Sequence, residues 1–217
     1  MSSDEKEFFV KSIIQWAKSG NLRKFPWRET SDVWHVALAE VLLARTPASR
    51  VLPVYCELIK KYPSPASVSA KDLPDLVEAL KPLGLQEKKA LQVKALAEAL
   101  RLKKSKKALI EELKKVPGMG RYSYEAVLLF GFKVVRPIVD GNVGRIFSRY
   151  FGLRWKGKAV SDEKAWDLAY ELVPKEVNEA IVYSYGLLDF GGEVCKKKPN
   201  CQMCPLRLRC KVFKDRY

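Results

Sequence analysis

The amino-acid sequence predicts an all-α fold. Apolar residues recur every three to four positions along most of the chain, which is the spacing of one helix face. Turn residues such as Pro63-Ser64-Pro65 and Pro117-Gly118 interrupt this pattern and indicate helix ends. Segment 133–139 is apolar, but it is short and contains Pro137, so it is not expected to form part of a β-sheet.

Each predicted helix lies between two such interruptions. The first begins with a capping-box pattern from Ser2 to Glu5, carries Phe9 and Ile13 on its apolar face and stops at Gly20. The later runs of helical spacing cover residues 33–45, 48–61, 73–81, 86–101, 106–115, 121–132, 142–151, 162–172 and 176–189. No repeat of solenoid period and no low-complexity linker occurs, so we expect any lobes to be joined by short connections.

The charge of the chain points to a polyanionic partner. Its 217 residues include 40 Lys and Arg but 25 Asp and Glu, for a net charge of +15, and 47% of them are hydrophobic. This composition excludes a disordered tail and an acidic scaffold. Basic residues are concentrated at 101–115 and from Cys195 to the C-terminus. These two basic segments can bind the same nucleic acid at two places. A lysine-rich surface on a heat-adapted enzyme is the alternative interpretation.

No export or membrane signal is evident in the sequence. Its N-terminus, from Met1 to Glu7, lacks a basic region followed by an apolar stretch, and no window approaches 18 uninterrupted apolar residues. We therefore expect an intracellular protein with no membrane partner. A chain of this length can bury a sufficient core without disulfides, so its cysteines need another explanation.

Four cysteines near the C-terminus form the most specific pattern in the chain. Cys195, Cys201, Cys204 and Cys210 follow the spacing C-x5-C-x2-C-x5-C, which allows four thiolates to surround one centre. Zinc also accepts four thiolates, but its sites usually contain two C-x2-C pairs and this segment has one. The spacing therefore favours a [4Fe-4S] cluster held by the 195–210 loop.

A glycine-rich turn between two predicted helices forms a candidate phosphate site. It comprises Pro117, Gly118, Met119, Gly120 and Arg121. Because no side chains obstruct them, the N-H groups of Gly118 and Gly120 can approach a phosphate at the start of the next helix. A dinucleotide-binding loop would need a preceding strand and a third glycine, which this segment lacks. A tight helical hairpin that binds nothing fits the same residues.

Asp140 lies about twenty residues after this turn, directly before the helix predicted at 142–151. Its simplest role is that of an N-cap that accepts hydrogen bonds from the first helical turn. A catalytic role is favoured by the sequence context, because a Gly-x-Gly hairpin, an aspartate and a four-cysteine cluster occur in that order. Asn142 either hydrogen-bonds the carboxylate or is a simple amide of the helical turn.

In this order of motifs the chain resembles, over nearly its whole length, the endonuclease III superfamily of DNA glycosylases. The resemblance implies a two-lobed helix-hairpin-helix glycosylase fold with a C-terminal iron-sulfur cluster loop. One helical lobe would comprise residues 25–136, and residues 1–24 and 137–217 would form the second. The first cysteine interval is one residue shorter than the usual six of the family. The resemblance also implies a monomer that acts on double-stranded DNA containing a mismatch.

Three segments resemble the branch that contains adenine glycosylases and archaeal G·T mismatch glycosylases. They are Phe25-Pro26-Trp27-Arg28, Ala39 to Leu43 and Val139 to Val143. The adenine enzymes usually carry paired glutamines and a Gly-Leu-Gly-Tyr-Tyr loop where this chain has Ala44-Arg45-Thr46 and Leu83-Gly84-Leu85-Gln86. They also have a further C-terminal domain, whereas this chain ends seven residues after its last cysteine. The resemblance therefore favours an enzyme that removes thymine or uracil paired with guanine.

The resemblance assigns catalytic roles to four residues. Asp140 would stabilise positive charge on the sugar, with Asn142 as the residue that orients it. Glu40 lies in an apolar helical stretch where burial raises a carboxyl pKa, so it would supply a proton to the leaving base. Tyr122 occupies the position where lyase-competent relatives place the lysine that forms a Schiff base. The enzyme would therefore be a monofunctional glycosylase.

Further residues would contact the DNA. Arg45 and the Leu85-Gln86 loop would fill the gap left by the flipped base and contact the orphaned guanine. In the alternative interpretation, Arg45 is an ordinary surface residue and Leu85 simply marks the start of a helix. The hairpin at 117–121 and the basic residues near the cluster would contact backbone phosphates. An adenine glycosylase acting opposite G or 8-oxoguanine, and a DNA-binding protein without catalysis, are the alternative functions.

Overall fold

The computed structural model of the protein describes residues 1–101 and 105–215. Within these residues every regular element is helical and no β-strand occurs, so the predicted all-α fold is confirmed. None of the helices described is long and apolar enough to cross a membrane. Residues 102–104 of the basic run at 101–115, and residues 216–217 of the basic C-terminal segment, lie outside the described residues.

Eleven α-helices are present in the described part of the chain. They are α1 (Ser3–Trp16), α2 (Val33–Leu43), α3 (Ala48–Lys61), α4 (Leu73–Leu80), α5 (Gln86–Arg101), α6 (Lys106–Leu113), α7 (Arg121–Ala126), α8 (Gly141–Phe151), α9 (Glu163–Leu172), α10 (Val177–Glu193) and α11 (Lys211–Lys214). Each predicted helical run corresponds to one of α1 to α10. The run predicted at 121–132 widens after α7 into a π-helical turn, Val127–Gly131, and the short α11 was not predicted.

The chain divides into two compact units. The terminal unit comprises Met1–Arg23 and Val134–Tyr217, and the central unit comprises Lys24–Lys133. Helix α8 is strongly amphipathic and forms much of the core of the terminal unit. Phe9 of α1 packs against three aromatic rings of α8, with ring centroids 4.9, 5.1 and 5.8 Å apart. This packing anchors α8 in the core, and Asp140 lies at the N-terminus of that helix.

Helix α2 is the most buried helix of the central unit. It packs against α3 and α5, and its buried residues are Trp34, Val36, Ala37, Leu38, Ala39, Glu40, Val41 and Leu42. Asp32 caps its N-terminus by accepting hydrogen bonds from the N-H groups of Trp34 and His35. A helix that is apolar on all faces lies in the protein interior. Glu40, the one acidic residue of α2, is therefore buried as well.

Candidate active site

Asp140 caps the N-terminus of α8. Its Oδ1 atom accepts a 2.7 Å hydrogen bond from the backbone N-H of Val143, and its Oδ2 atom accepts one of 3.1 Å from the side-chain amide of Asn142. Burial raises the pKa of the Asp140 carboxyl above its ordinary value, while these donors and the nearby Arg145 oppose that shift. The carboxylate is therefore held in one orientation by groups that favour its charged form.

Asn142 is itself held by Arg145, a residue for which no role was predicted from the sequence. The Nη2 atom of Arg145 donates over 2.7 Å to Asn142 Oδ1 and over 2.8 Å to the Gly191 carbonyl. Its Nε atom donates over 2.8 Å to the carbonyl of Cys195. A chain of hydrogen bonds thus connects Asp140 with the first cysteine of the cluster loop. The spacing of three residues places Asn142 and Arg145 on one helix face, and this is the sequence signal that could have revealed the contact.

Gly191 permits this arrangement because it lets α10 approach α8 closely. A Cβ atom added to Gly191 would lie 2.6 Å from the Cβ atom of Asn142, which is closer than real Cβ atoms approach other atoms. A larger residue would displace Asn142 from the close-packed interface, and with it the amide that donates to Asp140.

Glu40 is buried in α2, as its apolar neighbours predict, and is only 7% exposed. Burial raises its pKa from 4.5 to about 8, and the positive charge of Arg28 opposes this shift only in part. At neutral pH the Glu40 carboxyl is therefore largely protonated. A protonated carboxyl in this position can act as a general acid.

We expect Glu40→Gln to stabilise the protein increasingly as the pH rises. The pKa is raised in the folded state, so between pH 4.5 and about 8 the folded protein keeps a proton that the unfolded chain releases. The free energy of unfolding of the parent therefore falls across this interval, by up to roughly 5 kcal/mol, whereas the amide of the variant does not titrate. Thermal unfolding of both proteins from pH 5 to 9 measures the difference. If the free energies of unfolding of the two proteins change with pH in parallel, the pKa of Glu40 is the same in the folded and the unfolded state.

Two of the predicted DNA-contacting residues have strained backbones. Arg45, in the turn after α2, has a φ of 62°, and Leu85, directly before α5, has a φ of 54°. Positive φ is rare for residues other than glycine and costs on the order of 1–2 kcal/mol per residue. Both side chains are exposed, that of Leu85 to 56%. Strain that is maintained at exposed positions is typical of functional sites.

The predicted hairpin joins α6 to α7. Gly118 has a φ of 77°, and a Cβ atom there would lie 1.8 Å from Nε2 of Gln92, so the position requires glycine. From that same Nε2 atom Gln92 donates over 2.8 Å to the carbonyl of Pro117. The Gly120 N-H, which was predicted to approach a phosphate, instead donates over 2.9 Å to the Gly118 carbonyl, because the chain tightens before α7. The Gly118 N-H has no acceptor among the described residues.

The other residues of the hairpin lie at or near the start of α7. Arg121 is the first residue of α7 and Tyr122 the second, and both are partly buried. Met119 is partly buried in the turn, where its N-H donates over 3.0 Å to the Val116 carbonyl. Gly120 is the N-cap and has no side chain with which to cap α7. The positive end of this helix is therefore not neutralised by its own cap residue.

All four cysteines of the 195–210 loop line one cavity of about 470 Å³. Burial, with smaller contributions from the three other thiols, raises the pKa of Cys204 to about 12. Arg149 borders the cavity, where its Nη1 atom lies 3.5 Å from the Sγ atom of Cys195 and donates over 2.6 Å to the carbonyl of Lys196. Among residues 1–101 and 105–215, no three His, Cys, Asp or Glu side chains form a group that could hold a metal ion.

The structure brings the predicted site residues together in two groups, one in each unit. In the terminal unit, hydrogen bonds join Asp140, Asn142 and Cys195 through Arg145. In the central unit, α5 begins with Gln86, packs against α2 and supports the hairpin through the Gln92 amide. Helix α5 thus contacts both α2 and the hairpin of the central unit.

Comparison with known families identifies the class of protein. Residues 38–171 match the family described as HhH-GPD superfamily base excision DNA repair protein. This segment includes Glu40, the 117–121 hairpin and Asp140, and it spans well over half of the 217 residues. The chain belongs to this superfamily of base excision DNA repair proteins.

Similarity to individual proteins extends along the whole chain. A thymine/uracil-DNA glycosylase of Pyrobaculum aerophilum is 33% identical over 94% of this chain and 91% of the relative. A thymine-DNA glycosylase of Aeropyrum pernix is 32% identical over 96% of each chain. The solved structure of a thermostable thymine-DNA glycosylase matches with a TM-score of 0.86 at 28% identity, over 98% of both chains. An adenine DNA glycosylase of Buchnera aphidicola is 26% identical over 94% of this chain, but over 58% of the relative.

Proposed function

We propose that the protein is a monofunctional DNA N-glycosylase that removes thymine or uracil paired with guanine. The observation that carries the proposal is the Asp140 carboxylate, which is fixed at the start of α8 within the segment shared with base excision repair proteins. Full-length similarity to proteins named thymine-DNA glycosylase supports the choice of base. The substrate is mismatched double-stranded DNA, and the enzyme acts as a monomer.

Asp140 stabilises the positive charge that develops on the deoxyribose as the N-glycosidic bond breaks. A preorganised charge of this kind contributes roughly 3 kcal/mol or more, because it needs no reorientation when the transition state forms. Asn142 provides the orientation, since its amide donates to Asp140 while its oxygen is held by Arg145. Asn142 and Arg145 thus act on the reaction through the carboxylate.

Glu40 supplies a proton to the departing base. Burial keeps its carboxyl protonated near neutral pH, so it can donate a proton as negative charge develops on the base. The proposed mechanism uses one ionised acid beside the sugar and one proton donor beside the base. Burial raises the pKa of both carboxyls, but hydrogen-bond donors and Arg145 oppose this shift at Asp140, whereas Arg28 alone opposes it at Glu40.

The target nucleotide must leave the duplex before either acid can act. Its rotation costs a few kcal/mol, and less for a wobble pair than for a matched pair, so mispairing itself contributes selectivity. Arg45 and Leu85 fill the vacated space, because their left-handed turns hold exposed side chains in fixed positions. Gln86 adds an amide that can hydrogen-bond the orphaned guanine. The 117–121 hairpin contacts phosphates through the Gly118 N-H and the start of α7.

The four cysteines would hold a [4Fe-4S] cluster. No three of these thiols converge on a single metal ion, but each thiolate of such a cluster binds a different iron, so four thiols that line one cavity fit this group. When bound, the cluster would fix the fold of its loop. That loop presents three exposed lysines, Lys196, Lys197 and Lys198, to the phosphates of the DNA.

The purified protein is expected to be brown and to contain about four irons and four sulfides per chain. Cys204→Ala should remove the colour, because the Cys204 thiol faces the shared cavity. Cys56→Ala is the matched control and should keep the colour, since Cys56 lies on α3 in the central unit. Iron, sulfide and visible absorption are measured on all three proteins. Colourless parent protein with stoichiometric zinc would contradict the cluster.

Arg45→Ala is expected to reduce discrimination between mismatched and matched duplexes by roughly tenfold, because it removes a side chain that contacts bases. Lys197→Ala is the matched control in the cluster loop. It should weaken binding to both duplexes alike and reduce the salt dependence, since phosphate contacts carry no sequence information. Competition binding at several salt concentrations measures both effects. An equal loss on the two duplexes for Arg45→Ala would identify it as a backbone contact.

Base release from a panel of duplexes tests the proposed function. Single-turnover reactions on G·T, G·U, A·G, A·8-oxoguanine and matched pairs are followed by alkali, which breaks the strand at abasic sites. Release of thymine or uracil opposite guanine is the expected result. Release of adenine instead would make the protein an adenine glycosylase, and binding without any release would make it a non-catalytic DNA-binding protein.

A further inference from the structure

Lys89 is a buried cation on α5. It is 2% exposed, and among the described residues no carboxylate forms an ion pair with it. Its ammonium donates instead to three carbonyl oxygens, over 3.1 Å to Val41, 2.8 Å to Leu42 and 3.0 Å to Ala44. These three bonds use all the donors that an ammonium group has. Burial of a cation among neutral groups is costly, so it indicates a specific role.

The three carbonyls belong to the C-terminal end of α2. The last carbonyls of a helix lack donors within the helix and carry its negative dipole end, so a cation is favourable there. The Thr46 N-H donates over 3.0 Å to the remaining carbonyl, that of Leu43. A left-handed residue after a helix is usually glycine. Here it is Arg45, with a φ of 62°, and the Lys89 ammonium holds the carbonyl that directly precedes it.

Lys89 also lies in the first turn of α5, which directly follows the second strained residue of the central unit. Its backbone N-H donates over 2.9 Å to the carbonyl of Leu85, which has a φ of 54°, and this is the first helical hydrogen bond of α5. Arg45 and Leu85 are two of the three non-glycine residues with positive φ in the described part of the chain. A single residue therefore bonds to both turns, through its side chain on one and through its backbone on the other.

We propose that Lys89 is a positioning residue that holds Arg45 and Leu85 in fixed relation for the recognition of a mismatch. This inference rests on the proposed function, because it takes these two side chains as the ones that enter the duplex. Without the ammonium, the Arg45 backbone is free to relax to negative φ, and the side chain would leave the position in which it contacts a base. Lys89 thus determines specificity although it lies in the interior of the protein.

Lys89→Met tests the inference, because it keeps the apolar stem but removes the charge and the three donors. Discrimination between G·T and matched duplexes should fall roughly tenfold, as far as in Arg45→Ala, while binding to matched DNA stays the same. In the Arg45→Ala background, Lys89→Met should cause no further loss of discrimination, because the substitution removes only the bonds to the Arg45 turn and keeps the backbone bond to Leu85. A residue that is merely structural would lower the melting temperature without this coupling.

Gln92→Met is the matched control on the same helix. Gln92 is also a buried polar residue, 7% exposed, but its amide supports the hairpin through the Pro117 carbonyl. Its substitution should weaken binding to mismatched and matched duplexes alike. Its effect should also add to that of Arg45→Ala, because the hairpin and the Arg45 turn are separate contacts.

Lys89→Gln provides the test if Lys89→Met does not fold, since an amide keeps part of the donor capacity. Hydrogen exchange of the Thr46 amide, which closes the Arg45 turn, should accelerate in this variant, while that of Met119 in the hairpin stays unchanged. A lower melting temperature with unchanged discrimination and unchanged Thr46 exchange would overturn the inference and leave the proposed function intact. Failure of the proposed function is recognised separately, because the parent would then release neither thymine nor uracil.

Discussion

Asp140→Asn is expected to reduce base release by at least about 10²- to 10³-fold while binding to G·T duplexes is largely retained. The substitution removes the charge that stabilises the sugar but keeps an oxygen that can accept from the Val143 N-H and cap α8. The second oxygen is lost, so the new amide faces the Asn142 amide. Asn142 cannot turn to relieve this, because its oxygen is held by Arg145. We therefore expect a small loss of stability as well, about 1 kcal/mol.

Asp162→Asn is the matched control for this experiment. Asp162 caps α9 in the same unit, is 8% exposed, and accepts hydrogen bonds from the N-H groups of Lys156 and Lys164 over 2.6 and 3.0 Å. Its substitution should cost comparable stability and leave the rate of base release at the parent level. Single-turnover release, mismatch binding and melting temperature are measured for both variants. If folded Asp140→Asn releases base at the parent rate, the carboxylate is an N-cap and nothing more.

The helices could be predicted from the sequence because helical periodicity and capping are local properties. Ser2 and Asp140 cap α1 and α8 as their residue types indicate. The end of α2 could not be predicted in the same way. The pattern extends to residue 45, but the helix stops at Leu43, and the Ala44 carbonyl is held by Lys89 from 45 residues further along the chain. Contacts of such separation leave no local pattern in a single sequence.

The candidate site shows the same division between local and distant interactions. The burial of Glu40 follows from the apolar residues beside it in α2. The support of Asn142 by Arg145 has only a weak local signal, because the other partners of Arg145 are carbonyls more than 45 residues away. The N-H of Gly120 was misjudged for a different reason. Glycine content indicates an open backbone, but it does not reveal a short-range bond such as that to the Gly118 carbonyl.

Tyr122→Lys is expected to add strand cleavage to an enzyme that otherwise leaves an intact abasic strand. Base release leaves an aldehyde at C1′ of the deoxyribose, and a primary amine condenses with it to an imine with loss of water. Loss of a proton from C2′ then expels the 3′ phosphate and breaks the strand. The phenol of the parent cannot form an imine, so its product strand should break only with alkali or heat. Borohydride, which reduces the imine to a stable amine, should trap the variant on DNA and not the parent.

The position of Tyr122 favours this chemistry. It is the second residue of α7, is partly buried, and lies at a helix end that has no capping side chain. Both the positive helix end and partial burial lower the pKa of a lysine towards a nucleophilic free amine. Ser123→Lys adds the same charge at the next residue, rotated by about 100° around the helix axis, and should not be trapped. Efficient trapping of the parent would show that another amine attacks C1′ and that the enzyme is a glycosylase with lyase activity.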